Sequence, residues 1–209
     1  LTHDLRAPLA RLRVRLALLE DNTERAGLAR DTDDMERIVG QCLAFLRSEE
    51  SSVQAGTPLL IADAVSGEVA RHRELGQPLT MTVSEAAAAC EVIIDHGSLQ
   101  RLLDNLIDNA LRYGAPPVEI SLSVERAATL TLRVRDHGPG IPAEQRTRAL
   151  EAFSQIEPAR ATRGSCGLGL AIARLVLAQH GGTASAEESP LGGARFTLSW
   201  PLSQNVTES

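Results

Sequence analysis

The chain has 209 residues, room for one small module and one medium domain, and its 43% hydrophobic content with only 2% aromatics predicts a core of Leu, Ile, Val and Ala. All 21 basic residues are Arg, which excludes a Walker-type phosphate loop with its obligatory Lys. The net charge of −6 gives no electrostatic footprint for nucleic acid, so no nucleic-acid partner is expected.

Leu5, Leu9, Leu12, Leu16 and Leu19 recur at steps of four and three, the seam of a helix that packs in a bundle. Asp21, Asn22 and Thr23 break the pattern; Leu28, Met35, Ile38, Cys42 and Phe45 resume it, so residues 1–47 read as an αα-hairpin. Two helices do not bury both stripes alone. A second hairpin from another copy completes a four-helix bundle, which predicts a homodimer. The chain opens at Leu1 without a Met, inside this helical pattern, which predicts a fragment of something longer. No signal peptide is visible and no apolar run reaches the ~20 residues of a membrane span.

A polar stretch with Ser, Gly and Pro over 51–58 reads as a linker. From Leu59 onward, β-like runs over 79–83, 92–94, 118–124, 130–135 and 195–200 alternate with helical patterns over 61–75, 99–113 and 168–180, the last stopped by Gly181 and Gly182. The expected fold class is α+β: a hairpin module over 1–50, then an α/β sandwich over 59–201 with helices on one face of a mixed sheet, and a tail over 202–209. Cys42, Cys90 and Cys166 are odd in number and too far apart for metal-ligand spacing. They read as packing residues in a reducing compartment. His72, His96, His137 and His180 read as surface or packing residues.

Asn105, Asn109 and Arg112 share one polar stripe of the 99–113 helix, whose apolar stripe is Leu99, Leu102, Leu103, Leu106 and Ala110. Asn costs roughly half a kcal/mol against Ala in a helix interior, so two of them one turn apart ask for a reason. A solvated face is one. Amide oxygens that orient a hydrated Mg²⁺, with Arg112 meeting phosphate, are the other. Strand 130–135 runs into Asp136-His-Gly-Pro-Gly-Ile, where Gly138 and Gly140 let the backbone approach a flat ligand and the carboxylate accepts from an exocyclic amine. Residues 144–166 lack periodicity, as a mobile lid over a ligand does. Gly164, Gly167, Leu168, Gly169 and Leu170 then open a helix whose free N–H groups suit phosphate.

The order Asn105…Asn109, Asp136-x-Gly-x-Gly, a loop with one Phe, then Gly-x-Gly-Leu resembles the N, G1, F and G2 boxes of the histidine kinase ATP-binding domain, of the superfamily of gyrase, Hsp90 and MutL. The resemblance covers 59 to about 201. Independently, the opening Leu-Thr-His-Asp-Leu-Arg-Ala-Pro-Leu closely resembles the H-box of the dimerisation and phosphoacceptor domain. His3 lies roughly 160° from the leucine seam on a helical wheel, on the solvent side, and Pro8 is expected to bend the helix beside it. The resemblance implies a bacterial sensor histidine kinase: ATP and Mg²⁺ as cofactors, His3 as nucleophile, Asp4 as the base on its imidazole, and Asn105 and Asn109 at Mg²⁺. It implies Asp136, Gly138, Gly140 and Ile141 at adenine, and Arg112, Tyr113 and Gly167 to Leu170 at the triphosphate, with Arg160 or Arg163 of the lid as γ-phosphate contacts. The implied partner is the receiver domain of a response regulator, and the implied location is the cytoplasmic part of an inner-membrane sensor.

Three features depart from the family pattern. Ala7 stands one turn after His3, where many such kinases carry Thr or Asn to position water for dephosphorylating the partner. The F box keeps Phe153 alone of its two Phe residues, and the residues that normally precede the histidine are missing. A gyrase-type ATPase is disfavoured because Asn105 stands where those enzymes place a water-activating Glu. An ATP-sensing module without kinase activity is the remaining alternative, opposed by the intact His3, Asp4, Asn109 and Asp136.

Overall fold

The computed structural model describes residues 2–18, 23–50, 57–125, 129–152, 167–190 and 192–202. Helices α1 (Thr2–Ala17) and α2 (Thr23–Glu50) form the hairpin that the leucine spacing predicts. Leu9 and Leu16 are buried between them, and Arg13 pairs with Glu36 at 2.9 Å. Leu12, Leu28 and Met35 stay exposed, so one hairpin leaves part of its apolar stripe uncovered. Helix α1 continues through Pro8.

Downstream come β1 (Pro58–Leu60), α3 (Ile61–Glu74), β2 (Leu79–Val83), α4 (Glu85–Ala88), β3 (Glu91–Ile93), α5 (His96–Tyr113), β4 (Val118–Glu125) and β5 (Thr129–Arg135). A short 3₁₀ turn (Ala143–Gln145), α6 (Arg146–Ala149), α7 (Gly169–Gln179), β6 (Thr183–Glu188) and β7 (Ala194–Pro201) complete the described chain. Five strands make a mixed sheet in the order β2-β4-β5-β7-β6, with β2 parallel to β4 and every other pair antiparallel; β1 and β3 form a separate ribbon.

Strand alternation separates the two faces of this sheet. Val118, Ile120 and Leu122 of β4, Leu130, Leu132 and Val134 of β5, and Phe196, Leu198 and Trp200 of β7 are buried. They join Val65 and Val69 of α3, Leu99, Leu102, Leu103 and Leu106 of α5, and Ile172 and Val176 of α7 in one core. Each such side chain contributes about 1.5–3 kcal/mol by leaving water, against about 0–1 kcal/mol for an exposed ion pair, so the core dominates the fold's stability. The opposite face is polar. Across it the register aligns Glu119, Arg135, Arg195 and Glu187 on four successive strands, with Arg135–Glu119 at 2.9 Å and Arg195–Glu187 at 2.5 Å. Burial works against ionisation of Glu119, but His137 and Arg135 outweigh it and hold its carboxyl below the usual range.

Helix α2 packs on α7, with Cys42 against the sandwich core and Leu43 buried. Cys90 also packs against that core, as expected of a packing thiol, and burial raises its pKa. Cys166 lies outside the described residues. No helix among the described residues is long and apolar enough to cross a membrane.

Helix α5 is the central element, and its start is set by Asp95. The Asp95 carboxylate accepts from Ser98 N–H at 2.9 Å, satisfying one orphan donor of the first turn. Burial opposes its ionisation, but Ser98, Arg101 and His180 together hold the carboxyl below its usual value. Asp95→Ala is expected to cost about 1 kcal/mol, lowering Tm by roughly 2–4 °C in a protein of this size. Because the folded carboxyl ionises more readily than the unfolded one, that difference is fully present above the ordinary carboxylate pKa of about 4 and lost as pH falls through the lower folded value. Thermal melts of both proteins at neutral pH and in acid check it; a difference that grows in acid contradicts the cap.

Candidate functional site

The sequence-predicted residues converge on one side of α5. Its apolar stripe faces the sheet, which turns Asn105, Asn109 and Arg112 onto a half-buried flank. Asn105 Nδ2 donates to the carbonyl of Arg101 at 2.7 Å, which fixes the amide. A Cβ added at Gly169 would lie 3.1 Å from Asn105 Oδ1, so the first residue of α7 sits directly against this amide. Asn109 and Arg112 form no side-chain hydrogen bond with any described residue. Tyr113, at the end of the helix, is 40% exposed.

At the C-terminal end of α5 the chain meets Asp136, one of the few acidic side chains buried in the domain. Its Oδ1 accepts from Gly138 N–H at 2.8 Å and from Ala194 N–H at 3.0 Å, while its own N–H donates to the Ala194 carbonyl at 3.0 Å. Oδ2 takes no hydrogen bond from any described residue. A buried carboxylate with one oxygen locked by two backbone donors and the other open is an acceptor of fixed direction.

Close backbone approaches around Asp136 explain several glycines. A Cβ at Gly114 would fall 2.3 Å from Asp136 Cγ, one at Gly138 2.5 Å from Gly114 Cα, and one at Gly193 1.9 Å from the Asp136 carbonyl oxygen. Gly140 has φ +78° and packs on Gly193, while Ile141 is buried behind it. Gly114 and Gly193 were not among the sequence candidates. Both are distant from Asp136 in the chain, and only the dipeptide Gly192-Gly193 hinted at a special backbone.

Gly167 has φ +68° and leads into Leu168, which is buried, and Gly169 and Leu170, the first two residues of α7. The N–H groups of this first turn lack intrahelical partners, and the dipole end of an eleven-residue helix makes them a seat for an anion. Phe153, Gly164, Arg160 and Arg163 lie outside the described residues. His3, Asp4 and Ala7 fall in α1, but the placement of their side chains, including the expected solvent side of His3, is likewise outside the description.

His137, exposed, and His72, buried, are surface and packing residues as expected, and each has polar partners that the sequence does not reveal. His137 Nε2 lies 3.0 Å from Glu119, and His72 is buried in a polar network with Gln77 and Asp104. His180 joins the end of α7 to the Ile93 carbonyl at 3.1 Å.

A five-stranded sheet covered by α3, α5 and α7, with a glycine-walled carboxylate at one end of α5 and a helix N-terminus beside Asn105, defines a nucleotide-binding class of domain. Comparison with known proteins agrees. Residues 94–204 match the family described as histidine kinase-, DNA gyrase B-, and HSP90-like ATPase. The chain is 36% identical to the sensor protein RstB of Escherichia coli across all of this chain and 49% of that protein. It is 28% identical to the sensor histidine kinase CpxA of the same organism across 97% of this chain and 46% of that one. Full-length ShkA, solved in complex with AMPPNP, superposes with a TM-score of 0.72 at 25% identity, over 96% of this chain and 44% of that chain. The chain spans about half the length of the curated relatives it matches. It belongs to this ATPase family, and the relatives it matches bear the names of sensor proteins and sensor histidine kinases.

The glycine walls give a paired test. Gly192 and Gly193 both have φ +84°, so Ala at either carries the same left-handed strain, but a Cβ at Gly192 meets nothing within 4 Å. Gly193→Ala is expected to displace Asp136 and weaken binding of a fluorescent ATP analogue by at least about tenfold, some 1.4 kcal/mol. Gly192→Ala should leave affinity within about twofold while losing a comparable amount of thermal stability. Equal losses of affinity in both variants would contradict the wall.

Proposed function

We propose that the chain is the catalytic portion of a sensor histidine kinase that phosphorylates His3 from ATP and passes the phosphoryl group to an aspartate of a response-regulator receiver domain. The observation that carries this is Asp136, whose Oδ1 is held by Gly138 and Ala194 while Oδ2 is left open in a cradle that any Cβ on Gly114, Gly138 or Gly193 would fill. An adenine edge, with its exocyclic amine, matches an acceptor so fixed. From Gly114 to Asn105 is nine residues of helix, about 14 Å of rise, a length that lets one extended nucleoside triphosphate reach from Asp136 to the start of α7.

In this reading Asp136, Gly138, Gly140 and Ile141 hold the base, and Arg112, Tyr113 and the 167–170 turn hold the phosphates, with Arg160, Arg163 and Phe153 belonging to the covering segment. Asn105 and Asn109 present amide oxygens suited to a hydrated Mg²⁺, which keeps most of its waters. Bound Mg²⁺-ATP supplies the phosphoryl group, and positioning with charge neutralisation is most of what such a transfer requires. His3 presents one imidazole nitrogen as nucleophile; Asp4, its neighbour, takes the proton of the other. Residues 1–50 act as the dimerising phosphoacceptor module and 59–201 as the ATP-binding domain. The exposed Leu12, Leu28 and Met35 supply the apolar surface by which a second hairpin completes a four-helix bundle. In the same reading the chain is the cytoplasmic part of an inner-membrane sensor, a role consistent with relatives named as sensor proteins.

Incubation with γ-labelled ATP and Mg²⁺ is expected to leave an acid-labile, base-stable phosphate on the protein, absent in His3→Gln. Asp136→Asn should weaken ATP binding by roughly tenfold to a hundredfold: its amide oxygen can keep the two backbone donors, and its NH₂ then opposes the adenine amine, forfeiting about 1.5–3 kcal/mol. A stable phosphate on another residue, or full ATP affinity in Asp136→Asn, overturns the assignment.

Ala7 bears on the reverse reaction. It follows His3 by one helical turn on α1, on the same face, and carries no hydroxyl or amide with which to orient water. The kinase is expected to phosphorylate its regulator but to dephosphorylate it slowly, and Ala7→Thr to raise the phosphatase rate without a proportionate rise in autophosphorylation. Decay of purified phospho-regulator with each protein measures this; fast decay with the native kinase, indifferent to the substitution, would disprove it.

A further inference from the structure

Glu68 and His72 stand one turn apart on α3 and share a face. Both are buried, at 4% and 3% exposure. Asp104 reaches them from α5, about 100° round that helix from Asn105, and its Oδ1 lies 2.9 Å from His72 Nε2. One ligand atom from each of the three lies within 4.8 Å of the others, the only grouping of this kind among the described residues. His96 Nδ1 is 3.8 Å from Glu68 Oε1, on a side chain 63% exposed.

The hydrogen bonding shows what this cluster wants at its centre. His72 Nδ1 is 2.5 Å from Gln77 Oε1, which accepts its proton, so in the neutral ring Nε2 is the lone-pair nitrogen. That lone pair faces a carboxylate oxygen, and two such atoms in contact repel unless a proton or another cation lies between them. Arg71 supplies one. Its Nη2 donates to Asp104 and lies 3.0 Å from His72 Nε2, and its Nε donates to Glu68 at 2.8 Å. The guanidinium, 36% exposed on a flexible stem, thus occupies a position defined by two carboxylates and an imidazole.

We propose that Glu68, His72 and Asp104 form a binding site for a divalent transition-metal ion of the zinc class, with Arg71 as the resident cation in the metal-free protein and His96 as a fourth ligand. The site stands independently of the nucleotide reading. Mixed imidazole and carboxylate donors suit Zn²⁺ rather than Mg²⁺ or Ca²⁺, which take oxygen ligands. Bond lengths of about 2.0–2.2 Å place tetrahedral donors roughly 3.3–3.5 Å apart, within the spread the three ligand atoms already show. Charge balance points the same way: two carboxylates against one guanidinium leave one negative charge, and a divalent ion in place of Arg71 leaves none. The bound ion would clamp α3 to α5, the helix that carries Asn105 and Asn109.

The test is a zinc titration of the chelator-stripped 209-residue chain, in excess Mg²⁺, against a chromophoric zinc indicator, alongside thermal melts. One ion per chain with micromolar or tighter affinity and a raised Tm is expected. Asp104→Asn and His72→Gln should each weaken binding by at least about tenfold. Should the buried His72→Gln fail to fold, Asp104→Asn, at a site 37% exposed, decides alone. Arg71→Ala should tighten zinc binding while lowering the Tm of the metal-free protein, opposite signs that a merely structural role for Arg71 does not produce. No stoichiometric zinc, binding indifferent to Asp104→Asn, binding lost on alkylation of the cysteines, or weaker binding in Arg71→Ala each overturns the proposal.

Discussion

Two chain segments far apart in sequence meet at a single carboxylate oxygen. Asp136 Oδ1 ties the end of β5 to the turn at Gly138 and to the first residue of β7, and the Asp136 N–H returns a bond to Ala194. A buried carboxylate without such donors carries a desolvation cost of several kcal/mol, so these bonds are a condition for its being there at all. They also dictate the neighbours. Gly138 and Ala194 donate to the carboxylate, and around it, at 114, 138 and 193, main chain comes closer than any Cβ allows. The glycines at 114, 138 and 193 leave room for this buried side chain and its donors.

Helix α5 relays this constraint along its length. Its apolar stripe is wholly buried, so the helix cannot rotate about its axis without exposing Leu102 or Leu106, and the direction of Asn105, Asn109 and Arg112 follows from burial of the adjoining face. Gly114 anchors one end at Asp136, and Gly169 meets Asn105 about two and a half turns back. Core packing, rather than any contact within the polar stripe, sets where the functional groups point.

Much of this was legible in the sequence. The apolar and polar stripes of α5, the buried alternation in β4, β5 and β7, and the leucine seam of the hairpin follow from periodicities of 3.6 and 2 that burial enforces. Elements with little burial were not. Strand β6 reads Thr-Ala-Ser-Ala-Glu-Glu, too polar and too poor in β-branched residues to look like a strand, because it lies at a sheet edge with one buried position, Ala186. The three-residue β1 begins at Pro58 inside the expected linker, and only its pairing with β3 makes it a strand. Gly114, Gly193 and the network of Glu68, His72 and Asp104 depend on contacts between residues dozens of positions apart, which no local pattern encodes.

The same edge strand has a bearing on how the domain behaves in company. Its outer row of peptide groups is a template on which another chain's strand could add, as at any sheet edge. Glu187 and Glu188 lie along it, each engaged from within the fold, Glu187 by Arg195 and Glu188 by Arg146 at 2.9 Å. A strand arriving there would have to strip water from two ion pairs and meet a backbone flanked by consecutive carboxylates, at the strand's exit to a tight turn where Gly192 N–H donates to the Ser189 carbonyl. What reads in sequence as a weak, polar strand is, in a crowded compartment, the means by which the sheet stops at five.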